Sequence, residues 1–267
     1  MLDPTFVPGA PNWIDLGTPD LDGATAFYRE VFGWDLVPGG PETGGYGMYT
    51  LDGRTVAGVM TVTEEQAGPS WSVYFQTPDV DATAKAVSSA GGNVPFPPMD
   101  VLDYGRMGGF TDPAGTYFGT WQPGTNTGLG VTQLPGSFIW CELYVPDTGA
   151  AKTFYQAVFG WETEDSAFPG GSYTMVRPAG TAADGDDAYF GGLVGLDEVK
   201  SEAAAGPHWL PYFHADDVDR VLGDAVRLGG TVTLGPMEVD EVGTMANVTD
   251  PYGASFAVIK PAPMGEG

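Results

Sequence analysis

The chain is poor in cations and nearly without cysteine. Among 267 residues there are 10 Lys plus Arg, two histidines and one cysteine, Cys141. Ten cations spread along the sequence make no basic stripe, so nucleic acid is excluded as a partner. A single thiol excludes an intramolecular disulfide framework and any zinc site built on cysteines. No apolar run approaches the roughly 20 residues that a membrane span requires, so no membrane partner is expected. The start, MLDPTFVPGAPNW, has neither a basic nor an apolar leader region, and a cytoplasmic protein is expected.

Against these shortages stand 35 Asp plus Glu, for a formal charge of −25. The acid is spread evenly: residues 1–133 hold 15 acids and 4 bases, and residues 134–267 hold 20 and 6. This reads as a self-repelling, solvated surface rather than an acidic tail. Apolar residues make up 42% and charged ones 17%, enough to bury a core and too little charge for global disorder. No P-loop or dinucleotide glycine motif stands out, and no nucleophile triad. The 41 glycines fall mostly at turns and helix ends, as many short strands demand.

The dominant feature is a duplication. Phe27-Tyr28-Arg29-Glu30-Val31-Phe32-Gly33-Trp34 returns as Phe154-Tyr155-Gln156-Ala157-Val158-Phe159-Gly160-Trp161, 127 residues on. Trp13-Ile14-Asp15-Leu16 returns as Trp140-Cys141-Glu142-Leu143 at the same offset. Ala67-Gly68-Pro69 with Trp71, and Thr111-Asp112-Pro113 with Gly115, recur 138 residues on. The second copy is thus 11 residues longer, mostly in the polar stretch 180–187, which reads as a lengthened hairpin loop. Thr18-Pro19-Asp20-Leu21-Asp22 is also echoed by Thr77-Pro78-Asp79-Val80-Asp81. Four related units fused in pairs are expected.

One unit reads as strand, helix, then two or three strands. Trp13 to Gly17 is a strand, and Asp20 or Asp22 offers an N-cap carboxylate. Gly33 supplies the left-handed stop, and a hairpin turns at Asp52-Gly53. Trp71–Gln76 opens the next unit, with Asp79 or Asp81 capping a helix that ends at Gly91-Gly92. Pro95 to Pro98 reads as a link into strands around Gly105–Thr111 and Thr116–Trp121, joined by Asp112-Pro113-Ala114-Gly115. Pro123 to Gly136 separates the halves.

Tandem βαβββ units, the helix motif FYxxVFGW and the closing D-P-x-G strand pair resemble the vicinal oxygen chelate superfamily. That superfamily includes glyoxalase I, bleomycin-resistance proteins and extradiol dioxygenases. The resemblance extends to two-module actinobacterial members often labelled glyoxalase-like proteins or "hydroxylases" of aromatic polyketide pathways. It implies an α+β fold of two tandem modules, each a pair of βαβββ units curving around a cavity. The expected division is 1–123 for the first module, 124–136 for the linker, 137–262 for the second module and 263–267 for the tail.

The resemblance also implies where a metal would sit in catalytic relatives, with His, Gln or Glu at three places. Here those places fall on Trp13, Ser72 and Gly119 in the first module and Trp140, Leu210 and Ala257 in the second. None is a plausible ligand, so no metal and no cofactor are expected, and a metal-dependent glyoxalase or dioxygenase is disfavoured.

Strand alternation then assigns the faces. Trp13, Asp15, Ser72, Tyr74, Gln76, Tyr117, Gly119 and Trp121 face the first cavity. Trp140, Glu142, Tyr144, Leu210, Tyr212, His214, Ser255, Ala257 and Ile259 face the second. Val73, Phe75 and Phe118 pack under the helices. Trp13 and Trp140 either stack on a ligand or plug the space of a lost metal. His214, Glu142 and Asp15 are the candidate proton-transfer groups, or they are hydrogen-bonded structural residues. Arg106 meets an anionic ligand group or pairs with Asp100 or Asp103. His208 reads as a loop or rim residue, and Cys141 as a packed core thiol.

Aromatic walls with few polar groups suit a flat hydrophobic ligand. The resemblance implies as partner an aromatic or polycyclic small molecule of polyketide type, either tailored without a cofactor or bound and sequestered. A fused pair supplies the two-fold arrangement within one chain, so a monomer or a homodimer is expected.

Overall fold

The computed structural model describes residues 6–63, 68–168, 171–181, 188–199, 202 and 205–263. Residues 182–187, where the longer hairpin loop is expected, lie outside the described residues.

Four βαβββ units follow one another. The first is β1 (Pro11–Thr18), α1 (Leu21–Phe32), β2 (Asp35–Val37), β3 (Gly47–Leu51) and β4 (Arg54–Thr61). The second is β5 (Ser70–Gln76), α2 (Val80–Ser89), β6 (Asn93–Val101), β7 (Gly105–Thr111) and β8 (Tyr117–Pro123). The third is β9 (Phe138–Val145), α3 (Thr148–Phe159), β10 (Glu162–Phe168), β11 (Gly171–Arg177) and β12 (Gly191–Gly195). The fourth is β13 (His208–His214), α4 (Val218–Arg227), β14 (Thr231–Val239), β15 (Gly243–Thr249) and β16 (Ser255–Pro261).

Two eight-stranded mixed sheets result. Their orders are β2-β3-β4-β1-β5-β8-β7-β6 and β10-β11-β12-β9-β13-β16-β15-β14. In every unit the helix crossover returns the chain so that the last strand runs parallel to the first, as with Asp15 beside Gly58 and Tyr74 beside Gly119. The remaining strand pairs inside each unit are antiparallel hairpins. The expected α+β architecture is the observed one.

Local chemistry explains the boundaries. Helices α1 to α4 each start on an aspartate, Asp20, Asp79, Asp147 and Asp217, whose carboxylate accepts an amide of the first turn. Gly33 and Gly160 close α1 and α3 at φ +79° and +72°, a conformation that glycine adopts without Cβ strain. The proline-rich stretch 95–98, expected as a link, is instead part of strand β6. Its ladder slips between Asn93 and Phe96 and between Phe96 and Met99. Proline can donate nothing to a ladder, so a strand with three of them is tolerated at the sheet edge, where β6 lies.

The compact units of the chain are discontinuous in sequence. One comprises Met1–Ile14, Ser72–Leu129 and Trp140–Trp209; the other comprises Asp15–Trp71, Gly130–Ile139 and Leu210–Gly267. In the first unit α2 packs on α3, and in the second α1 packs on α4. The helix of one repeat therefore meets a helix of the other repeat.

The repeated motifs do the joining. In one unit, Trp71 Nε1 donates to the Tyr28 hydroxyl at 3.1 Å, and Tyr28 donates to Asp250 Oδ2 at 3.1 Å. In the other, Trp209 Nε1 donates to Tyr155 at 3.3 Å, and Tyr155 donates to Asp112 Oδ2 at 3.3 Å. Asp250 Oδ1 also accepts the amides of Tyr252, Gly253 and Ala254, and Asp112 Oδ1 those of Ala114 and Thr116. Each D-P-x-G aspartate thus holds its own turn with one oxygen and the other repeat's helix with the second.

Aromatic rings surround both relays. Tyr28 stacks on Trp34 at 5.3 Å and meets the edge of Trp71. Tyr155 stacks on Trp161 at 4.6 Å, beside Phe75 and Trp209. Both indoles are fully used, Trp34 Nε1 donating to the Gly136 carbonyl and Trp161 Nε1 to the Gly9 carbonyl. Phe75, Phe118 and Val73 lie in this buried layer as expected.

Burial pushes the Tyr28 and Tyr155 hydroxyls well above their usual value, with the charges of Asp250 and Asp112 adding to it. Replacing either tyrosine with phenylalanine strands an indole N–H and a carboxylate oxygen, at about 1–3 kcal/mol of stability. Urea unfolding of Tyr28→Phe and Tyr155→Phe checks this, and an unchanged midpoint contradicts it.

Burial also pushes the Asp250 carboxyl above 3.8, against the opposing pull of its hydrogen bonds. The fold then binds this proton more tightly than the unfolded chain, and this site's contribution to stability falls as pH rises through the window above 3.8. The stability gap between the parent protein and Asp250→Asn should therefore narrow with rising pH. A gap that widens across that window contradicts the assignment.

Candidate functional site

The sequence-predicted residues fall into several local clusters. In the second module Trp140, Glu142 and Tyr144 alternate along β9 and share one face. They form one hydrogen-bonded network with Tyr173 on β11. Tyr144 donates to Glu142 Oε2 at 2.6 Å and Tyr173 to Glu142 Oε1 at 2.8 Å, while Trp140 Nε1 donates to the Tyr173 hydroxyl at 2.9 Å. Glu142 and Tyr144 are buried, and Trp140 and Tyr173 half-buried. A carboxylate this deep requires partners on both oxygens, and the two phenols provide them.

The first module repeats the motif. Asp15, buried on β1, accepts from the Tyr46 hydroxyl at 3.1 Å. Tyr46 and Tyr173 are counterparts at the 127-residue offset. Each needs a glycine beneath it: a Cβ on Gly58 would lie 1.8 Å from the Tyr46 oxygen, and one on Gly192 would lie 2.1 Å from the Tyr173 oxygen. Neither tyrosine was singled out from sequence, although the shared offset carried the signal.

His208, read from sequence as a loop or cavity-rim residue, is the first residue of strand β13 and is half-buried. Its ring stacks on Tyr144 at 5.1 Å and 13°. Nδ1 contacts the Gly206 carbonyl at 2.8 Å and so carries the hydrogen, and Nε2 lies 3.3 Å from the buried Glu202 carboxylate. This pair joins the Glu142 network through the Tyr144 ring. Sequence reasoning missed Glu202, although the 138-residue offset pairs it with Glu64.

The other candidates stand as follows. His214 Nδ1 contacts the Gln133 carbonyl at 2.6 Å, and Nε2 lies 3.8 Å from Asp216. Tyr212, two residues before it on β13, is buried. Trp13, Tyr74 and Trp121 are buried, and Trp121 Nε1 donates to the Asn126 carbonyl at 2.9 Å. Ser72 and Gln76 are half-buried on β5. Arg106 is held by Asp81 at 2.5 Å and Asp100 at 2.7 Å, at a half-buried position on β7. Two carboxylates already neutralise its charge. Cys141 is fully buried, and burial pushes its thiol well above its ordinary value, which suits a packed core residue and not a nucleophile.

The donor places of metal-dependent relatives can be tested against these side chains. At the third place, Gly119 pairs with Tyr74 across the β5–β8 ladder, and a Cβ there would lie 2.1 Å from the Tyr74 ring. No donor side chain fits at 119 while that ring is present. In the second module Leu210 and Ala257 are buried and carry no donor atoms. Among the described residues no three His, Cys, Asp or Glu side chains converge as a metal would require. These residues do not fit a catalytic divalent ion.

Burial, then the charge of Glu142, pushes the Tyr173 phenol well above its ordinary value. Burial raises Tyr49 to about 12. Together with Tyr28 and Tyr155, these phenols should stay protonated at about pH 11, above the usual tyrosine value near 10. Ultraviolet difference titration of the folded protein checks this against the 12 tyrosines present. Ionisation of all of them before unfolding contradicts the burial described.

Comparison with known proteins places this geometry among relatives. The profile of the glyoxalase/bleomycin resistance protein/dioxygenase superfamily matches residues 10–119, and that of the bleomycin resistance protein-like N-terminal region matches 137–177. The chain is 38% identical to the anthracycline biosynthesis protein DauV of Streptomyces sp. (strain C5), over 96% of this chain and 94% of that one. It is 37% identical to the putative glyoxylase CFP32 of Mycobacterium bovis, over 96% of both. Among solved structures, the 2,3-dioxygenase LapB from Pseudomonas sp. KL28 superposes with a TM-score of 0.64 at 15% identity, over 98% of this chain and 96% of that one. That last likeness is one of fold alone.

Proposed function

The chain belongs to the glyoxalase/bleomycin resistance protein/dioxygenase superfamily, and from that premise we propose that it binds a flat, oxygenated aromatic metabolite without a metal. The observation that carries this reading is the content of the donor places. Tryptophan stands at the first place of both modules, and glycine or alanine stands at the third. A site of that composition gains affinity from ring contact and area removed from water rather than from coordination. The Streptomyces relative named for anthracycline biosynthesis supports a polyketide-like ring system as the substrate class.

The polar groups set what chemistry is open to such a site. Glu142 fixes two phenol hydroxyls, one of them bonded to Trp140, and Asp15 fixes one. With their hydrogens held by the carboxylates, these phenol oxygens can accept hydrogen bonds from ring hydroxyls of a ligand. A carboxylate behind a phenol can take up the proton that the phenol passes on, which is general acid–base work. A tailoring step of this kind is the first form of the proposal; sequestration of the same ligand with no turnover is the second.

Native mass spectrometry and tryptophan quenching with a dihydroxyanthraquinone test the reading. Stoichiometric binding that survives a chelator is expected, and binding that requires added divalent metal overturns it. Mass analysis of ligand recovered after incubation separates the two forms: a changed mass indicates tailoring and an unchanged mass sequestration. Under tailoring, Glu142→Gln should stop conversion at least tenfold while retaining binding.

A further inference from the structure

The two modules repeat one another closely, and among the places where their walls differ two are linked. Trp13, Asp15, Tyr46 and Gly58 have Trp140, Glu142, Tyr173 and Gly192 as counterparts. The place of Tyr144, however, is held by Gly17 in the first module, and the place of His208 by Ser70. Both changes add a ring to the second module, and the two added rings stack on each other at 5.1 Å.

The added pair is held from several directions. The Tyr144 hydroxyl is fixed on Glu142 at 2.6 Å. The opposite face of the contact is His208, whose Nδ1 is anchored on the Gly206 carbonyl; its Nε2 lies 3.3 Å from the Glu202 carboxylate without a hydrogen bond among the described residues. Glu202 sits in a turn whose amides bond Val199 and precede Ala205 (Glu202 N to the Val199 carbonyl, Ala205 N to the Glu202 carbonyl, both 3.0 Å). Ser70 makes only the smaller version of the anchor, its hydroxyl reaching the Gly68 carbonyl at 3.4 Å. A phenol clamped by a carboxylate at its oxygen and by a stacked ring on its face has little rotamer freedom left to lose. Such preorganised hydroxyls discriminate ligand oxygens well, because little ordering cost opposes the hydrogen bond.

We propose that Tyr144 is the residue with which this chain reads the oxygenation of its aromatic ligand, that His208 is the positioning residue holding it, and that this recognition belongs to the second module. The first module, with Gly17 in that place, offers no phenol there. The inference rests on the reading of the protein as a binder of flat aromatic molecules. The ligand class it names is narrower: ring systems carrying a hydroxyl that can donate to the Tyr144 oxygen, whose own hydrogen is held by Glu142, preferred over the same rings without it.

Two probes test this, a dihydroxyanthraquinone and anthracene, the same ring frame without oxygens, each titrated by tryptophan quenching. The parent protein should prefer the oxygenated probe. Tyr144→Phe should reduce that preference roughly three- to tenfold, the worth of about one hydrogen bond, with anthracene affinity retained. His208→Ala should reduce the preference in the same direction, and His208→Phe should restore part of it by returning a stacking ring. Thermal melting of each variant confirms the fold; if Tyr144→Phe does not fold, the His208 pair decides the matter. A preference unchanged in both tests, or affinities for the two probes that fall together, overturns the assignment while leaving aromatic binding in place. Binding of neither probe to the parent protein overturns the underlying reading and this one with it.

Discussion

A buried tyrosine hydroxyl that must accept from an indole and donate to a carboxylate is the constraint from which this structure follows. Tyr28 does so between Trp71 and Asp250, and Tyr155 does so between Trp209 and Asp112. Each group in the relay would be costly to bury alone. Together they fix a helix, a strand and a β-turn against one another, with stacked rings excluding water around them. Once these contacts form, the registers of β5, β8, β13 and β16 are set, and so is which strand residues face away from the helices. The candidate site lies on the faces that this relay leaves over.

Much of the fold was legible because its signals are local. Asp20, Asp79, Asp147 and Asp217 cap helices, Gly33 and Gly160 end them, and Asp52-Gly53 turns a hairpin with both residues at positive φ. Each depends on a few consecutive residues. The exchange of partners between repeats was not legible. A repeat shows which residues are equivalent, but equivalence does not say whether Tyr28 reaches Asp112 or Asp250. The proline-bearing strand β6 escaped for a related reason: whether a strand lies at a sheet edge is decided far away in sequence.

The candidate site was half legible. Alternation along β9 placed Trp140, Glu142 and Tyr144 on one face, and the structure brings them into one network. Tyr46 and Tyr173 come from other strands, and only their common offset connects them to Asp15 and Glu142. Arg106 shows both sides: Asp100 was among its expected partners, whereas Asp81, on α2, was not. His208 looked peripheral beside a proline, yet its ring covers Tyr144. Polar partners assembled across strands leave no periodic trace.

The discontinuous units give the stretch between the repeats a role that its composition does not suggest. Residues 130–139 belong to one unit and 140–209 to the other, so the chain passes between compact bodies more than once. A polypeptide ending at the linker would contain Tyr28 without Asp250 and Asp112 without Tyr155. Neither half holds a complete set of buried partners, although each holds the complement of what the other lacks. The two halves are therefore fragments that complement one another, and the covalent link raises the effective concentration at which they meet.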